Sequence, residues 1–241
     1  MIIYGINPVL EALRAGRVRR LRVARHDKRM QEVIAAAERH GVKAEAADAQ
    51  TLDRLARGGV HQGVAADVED VRDLALTDLI TTDRAALIVV LDGVEDPHNV
   101  GAILRTADAA GASGIVRQAR HSAALDGIVA KASAGALATA RIATVVNVAR
   151  AIEELKGGGV WTVGLADSAV DDYTQVDFTL PTAVVLGAEG SGLRRLVAER
   201  CDRLVRIPMA GTVSSLNVSV AAGVVLYEAV RQRVNAAERK G

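Results

Sequence analysis

Three stretches of this 241-residue chain combine turn-forming residues with groups able to grip a polar ligand. The first, Leu91 to Arg105, reads Leu-Asp-Gly-Val-Glu-Asp-Pro-His-Asn-Val-Gly-Ala-Ile-Leu-Arg. An apolar run ends there in a polar turn that leads into a helix, and ligands of open α/β sheets collect at such strand ends. With a helix beginning near Asn99, Asn99 and Arg105 stand about two turns apart, near enough to one face for both to touch an extended polar substrate. The competing expectation gives Asn99 a capping role and Arg105 a solvated face.

The second stretch, Val184 to Leu193, places Gly187, Gly190 and Gly192 after a strand. Glycines at this density let the backbone pass close to a ligand and expose its amides. The spacing G-x-x-G-x-G, with no Lys-Ser/Thr, matches neither a dinucleotide fingerprint nor a P-loop. Glu189, its one carboxylate, is a poor neighbour for a phosphate, and a glycine-rich turn without a ligand fits the same residues. The third stretch, Ile207 to Ala221, holds a strand ending at Pro208 and a small-residue helix expected from Ser214 or Ser215. Some of its Ser, Thr and Asn side chains would be caps, but not all of them. Ala221, Ala222 and Gly223 would allow close approach by another backbone, in a core or at a subunit contact.

The elements that must position these groups alternate between strand-like and helix-like, the pattern of an α/β protein with a largely parallel sheet. Strands are expected over 2–4, 18–24, 42–46, 64–68, 87–91, 114–116, 142–146, 160–165, 183–186 and 204–207. Helices are expected from Asn7, as N-cap with Pro8 following, and over 28–40, ended by Gly41. Glu69 to Asp83, rich in acidic residues and with a broken apolar pattern, is the candidate linker. The division is therefore a small domain over 1–70, a linker over 71–84 and a larger domain over 85–241.

Half the residues are hydrophobic and 24% are charged, which excludes a disordered or fibrous chain. Thirty Lys and Arg against 29 Asp and Glu leave a net charge of +1, so a polyanion would have to meet a local basic patch. The segment Arg14 to Arg29, with one acidic residue, is such a patch or else a solvated face. Five aromatics are too few for a surface that reads bases mainly by stacking. The one cysteine, Cys201, forms no internal disulfide and suits a reducing compartment. The five histidines lack metal-ligand spacing, no Gly-x-Ser-x-Gly elbow is present, and no membrane span or export signal is expected.

Taken together, Asp-Pro-His-Asn-Val-Gly-Ala with Arg105, Leu-Gly-Ala-Glu-Gly-Ser-Gly, and Ile-Pro-Met-Ala-Gly-Thr-Val-Ser-Ser-Leu-Asn-Val-Ser-Val-Ala resemble the three motifs of the SpoU/TrmH family of RNA ribose methyltransferases. Tyr4-Gly-Ile-Asn-Pro-Val9 and Val60-His-Gln-Gly-Val64 resemble the small RNA-binding domain of one of its branches, so the likeness spans nearly the whole chain. That branch methylates the 2′-oxygen of a guanosine in the peptidyl-transferase region of 23S ribosomal RNA. The resemblance implies a carboxy-terminal α/β domain with a trefoil knot, S-adenosylmethionine as cofactor, no metal, and a cytoplasmic homodimer. It places Gly187, Ile207 and Leu216 at the cofactor, and Asn99, Arg105, Glu189, Ser215 and Asn217 in the catalytic constellation. Because a guanidinium stays protonated in proteins, Arg105 is expected to orient the ribose hydroxyl and stabilise its developing charge. Two other expectations stay open: methylation of another rRNA or tRNA nucleotide, and a noncatalytic role in ribosome assembly.

Overall fold

The computed structural model describes residues 1–24, 27–80 and 85–239. Residues 25 and 26 of the basic segment and 81–84 of the expected linker lie outside them. In chain order the elements are β1 (Ile2–Tyr4), α1 (Ile6–Arg14), β2 (Val18–Val23), α2 (Lys28–Arg39), β3 (Ala44–Ala46), α3 (Ala49–Ala56), β4 (Val64–Val68), α4 (Leu76–Leu79), β5 (Leu87–Asp92), α5 (Pro97–Ala109), β6 (Gly114–Gln118), α6 (Gly127–Ala132), β7 (Ile142–Val145), α7 (Val148–Gly157), β8 (Trp161–Leu165), β9 (Asp171–Asp172), β10 (Thr182–Gly187), α8 (Arg195–Arg200), β11 (Arg203–Arg206) and α9 (Val218–Glu238). Many helices begin where a short acidic or amide side chain can accept a free amide: Asp27, Asp48, Asp96, Asp126, Asn147 and Asn217 each cap one.

The chain divides into two compact units, Met1–Val71 with 100–105 and 123–140, and Arg72–Asn99 with 106–122 and 141–241. The first carries a four-stranded sheet in the order β1-β4-β2-β3, antiparallel except for the β2–β3 pair. Tyr4, Leu52, Ala56 and Ala65 form one of its apolar clusters. Within this unit a Cβ on Gly127 would collide with the Tyr4 ring, which ties α6 to β1. A division drawn along the sequence at residue 70 cannot assign 123–140 to the amino-terminal unit, because only packing reveals that membership.

The second unit is built on a seven-stranded parallel sheet ordered β7-β6-β5-β10-β8-β11-β9. Every residue of β5 is buried, as expected of an uninterrupted apolar run covered on both faces. The acidic segment expected to be only a linker holds α4, whose Leu76 and Leu79 are buried with Ile88, Val116 and Ile152. Two leucines three residues apart sufficed to bury one helical turn despite the surrounding charge.

Other differences are local. The first helix starts at Ile6 with Gly5 at its N-cap, so Asn7 lies inside it and caps nothing. The last starts at Val218, later than the expected Ser214 or Ser215. No element was expected over 47–63, where α3 forms and buries only Leu52 and Ala56. In the basic segment, Arg14, Arg19, Arg20 and Arg22 pair with Glu11, Glu69, Glu45 and Asp67. Strands flanking β2 supply two of those acids, Glu45 and Asp67, and Glu69 follows just past β4, so much of the expected patch is neutralised within its own unit.

Candidate active site

Register fixes the floor of the site. β10 runs parallel to β5 with Gly187 beside Asp92, so both stretches end at the carboxyl edge of the sheet. After Gly187 the chain folds on itself: the Ala188 N–H donates to Gly192 O at 3.1 Å, and the Gly192 N–H donates to Ala188 O at 2.9 Å. Gly190 (φ +82°) and Gly192 (φ +66°) occupy the left-handed region, which a side chain would strain. A Cβ on Gly187 would collide with the backbone of Gly192 and Leu193, so only glycine fits this tight turn.

A cavity of about 400 Å³ opens beside the loop. Gly187 and Glu189 from the second stretch and Ile207, Ser215, Leu216 and Asn217 from the third all line it. Asn99 joins from the first stretch by hydrogen bonds. Its Nδ2 donates to Glu189 Oε2 at 3.1 Å, and its Oδ1 accepts from Asn217 Nδ2 at 2.9 Å. Asn217 also caps α9, accepting from the Ser219 N–H and hydroxyl at 2.9 and 2.6 Å. Three polar residues, one from each stretch, are therefore joined in series. Asn99 is only 6% exposed, so both ends of its amide need these partners.

Capping accounts for Asn217 but not for Asn99, because Asp96 caps α5 by accepting from the His98 N–H at 3.0 Å. Arg105 departs from the expected shared face. Six residues correspond to about 600° of helical rotation, which leaves the two side chains about 120° apart. Asn99 is buried, whereas Arg105 is exposed, lies outside the cavity lining, and makes no hydrogen bond or ion pair among the described residues. Ser215 is exposed at the cavity.

The sequence reading did not single out Leu165, Ala166 and Asp167, which form a further wall at the carboxyl end of β8. The rule that ligands gather at the carboxyl ends of parallel strands was the available signal, applied only to β5 and β10. Nor did it single out the lock beneath the glycine loop. The buried Asp92 carboxylate accepts from the Arg194 N–H at 2.9 Å and from its Nε at 2.6 Å, and pairs with its Nη2. Among the described residues no group of three or more His, Cys, Asp or Glu could hold a metal ion, and no helix is long and apolar enough to cross a membrane.

A cavity framed by a glycine-rich strand end and a capped helix start, on a parallel sheet, defines a ligand-binding α/β protein. Family models sharpen this: the SpoU rRNA methylase family matches residues 86–227, and the RNA 2′-O ribose methyltransferase substrate-binding family matches 2–74. The chain belongs to the SpoU rRNA methylase family. It is 50% identical over 211 residues to the 23S rRNA (guanosine-2′-O-)-methyltransferase RlmB of Ralstonia nicotianae, covering 87% of this chain and 85% of that one. It is 45% identical to the enzyme of the same name from Yersinia pestis, covering 96% and 97%. The crystal structure of the SpoU methyltransferase AviRb from Streptomyces viridochromogenes, in complex with the cofactor AdoMet, superimposes with a TM-score of 0.83 at 30% identity, covering 97% of this chain and 90% of that one.

Proposed function

We propose that this chain is an enzyme that transfers a methyl group from S-adenosylmethionine to the 2′-oxygen of a guanosine in the peptidyl-transferase region of 23S ribosomal RNA. The observation that carries this reading is the series Glu189–Asn99–Asn217, drawn from all three stretches, at a cavity walled by Gly187, Ile207 and Leu216. The lining suits that cofactor. Ile207 and Leu216 offer apolar surface to an adenosyl group, and the carboxylates Asp167 and Glu189 favour a cationic sulfonium while disfavouring a polyphosphate.

When bound, S-adenosylmethionine supplies a methyl group already activated on sulfur. What remains for the protein is to hold a very weakly acidic hydroxyl in line and to stabilise the charge that forms as its proton leaves. Arg105 takes that role as an orienting and electrostatic group, since a guanidinium stays protonated. Asn99, fixed from both sides, holds the polar frame together with Glu189 and Asn217, and the Ser215 hydroxyl positions the ribose.

The same reading includes a trefoil-knotted backbone and a cytoplasmic homodimer with the amino-terminal domain gripping RNA. Supporting the dimer, Val220, Tyr227 and Val234 recur at seven-residue spacing along α9 and are each at least half exposed. The deciding experiment is a map of ribose methylation in large-subunit RNA from cells with and without the protein. One guanosine should lose its 2′-O-methyl group without it, and an unchanged map would overturn the reading.

A further inference from the structure

A second cleft of about 370 Å³ opens in the methylase unit at the carboxyl ends of β6 and β7. Gln118 closes one side, Val146 and Asn147 stand just past β7, and Arg194 and Leu196 come from the start of α8. None of these residues lines the cavity assigned above to S-adenosylmethionine.

Arg194 is unusual in being both held and open. Its Nε and Nη2 edge is fixed on Asp92, whose side chain is fully buried, and Nη2 also donates to Gln118 Oε1 at 2.9 Å. Its own side chain is 49% exposed, and Nη1 makes no hydrogen bond among the described residues. A planar cation is thus oriented at no further entropic cost, with part of its surface facing the cleft. The rim is apolar and uncovered, Val146 being 85% and Leu196 54% exposed. Arg120, two residues past β6, and Arg150, in the first turn of α7, are exposed and make no ion pair among the described residues.

A pinned guanidinium plane between apolar walls suits a flat, uncharged ring, and exposed arginines just past β6 and in the first turn of α7 suit the phosphates attached to it. We propose that this cleft receives an unpaired nucleobase of the RNA substrate, next to the target nucleotide and stacked on Arg194, with Arg120 and Arg150 meeting its phosphates. The proposal rests on the RNA-methyltransferase reading and adds a second substrate subsite to it.

The test uses the full-length protein and an in-vitro transcript of 23S ribosomal RNA carrying 4-thiouridine. Val146→Asp and Leu196→Asp should each raise the transcript Kd by about fivefold or more, since base stacking is worth that much, while the Kd for S-adenosylmethionine stays unchanged. Arg194→Lys, which keeps the charge and loses the plane, should also weaken transcript binding. Photocrosslinks should map to 146–150 or 194–197. Unchanged transcript affinity in both aspartate variants, with crosslinks elsewhere, overturns the subsite. A change in oligomeric state in place of RNA affinity would make the cleft a protein contact and overturn it too. Failure of the wild-type protein to methylate the transcript would instead strike the enzymatic reading, and the subsite with it.

Discussion

Asn99 both donates and accepts within the site, so its removal leaves Glu189 and Asn217 each short of a partner. Arg105 has the opposite character, with no partner to lose among the described residues. Arg105→Ala should therefore leave fold and S-adenosylmethionine affinity intact while methyl transfer falls about 100-fold or more, the usual cost of losing one charge-stabilising group. Single-turnover transfer to ribosomal RNA, beside calorimetry with the cofactor, separates the two effects, and turnover near the wild-type value would remove Arg105 from the mechanism. Gly187→Ala should act on binding instead, because its new methyl group has no room against Gly192 and Leu193. Cofactor affinity should drop at least about tenfold, a loss of 1.4 kcal/mol or more, and calorimetry reads it directly. At this scale the sequence marked the three stretches that come together but not which of their side chains pair or which way they face. The pairing of Asn99 with Asn217 spans 118 positions and has no local signature, whereas the angle of about 120° between Asn99 and Arg105 follows from their six-residue separation alone.

Among the elements, the junction of β8 with α8 and β11 is tied by one carboxylate. Asp202 accepts from the Thr162 N–H and hydroxyl at 2.9 and 2.8 Å and pairs with Lys156 at 2.9 Å. Burial pushes its pKa up, but the hydrogen bonds from Lys156 and Thr162 outweigh that and hold it below the ordinary carboxylate value. A lowered folded value contributes stability that is fully present above the unfolded value of about 3.9 and is lost as pH falls through the folded one. Asp202→Asn should thus destabilise the protein by about 1–3 kcal/mol at pH 7, and urea titrations should show the gap closing below about pH 4. Strand positions were legible because β5 and β10 are largely apolar runs covered on both faces. Short amphipathic pieces such as α3 and α4 were not, since two buried residues in each leave almost no period to detect.

For the whole molecule, the exposed stripe of Val220, Tyr227 and Val234 is the main argument for association. Tyr227→Asp would place a charge at its centre, and sedimentation should then report a dimer for the wild-type chain and a monomer for the variant. A wild-type monomer at micromolar concentration would remove the dimer from the reading. A two-part division was expected from the change of composition near residue 85, whereas packing first separates the units between Val71 and Arg72. The recruitment of 123–140 to the amino-terminal unit was not, because contiguity along the chain is the only cue that a sequence offers.

Helix α9 is tied down at both ends. Asn217 at its start bonds Asn99, and near its end Arg233 donates to the carbonyls of Ala85, Ala86, Phe178 and Leu180, at the amino edge of the sheet. The stretch between Asn217 and Arg233 therefore acts as a strut of fixed length, sixteen rises or about 24 Å at 1.5 Å per residue. Deleting a single alanine from its middle would shorten that strut by one rise and turn one terminus by about 100° against the other. Both moorings could then no longer be met at once, so the Asn217 amide would be drawn away from Asn99 by a change made far along the helix from it.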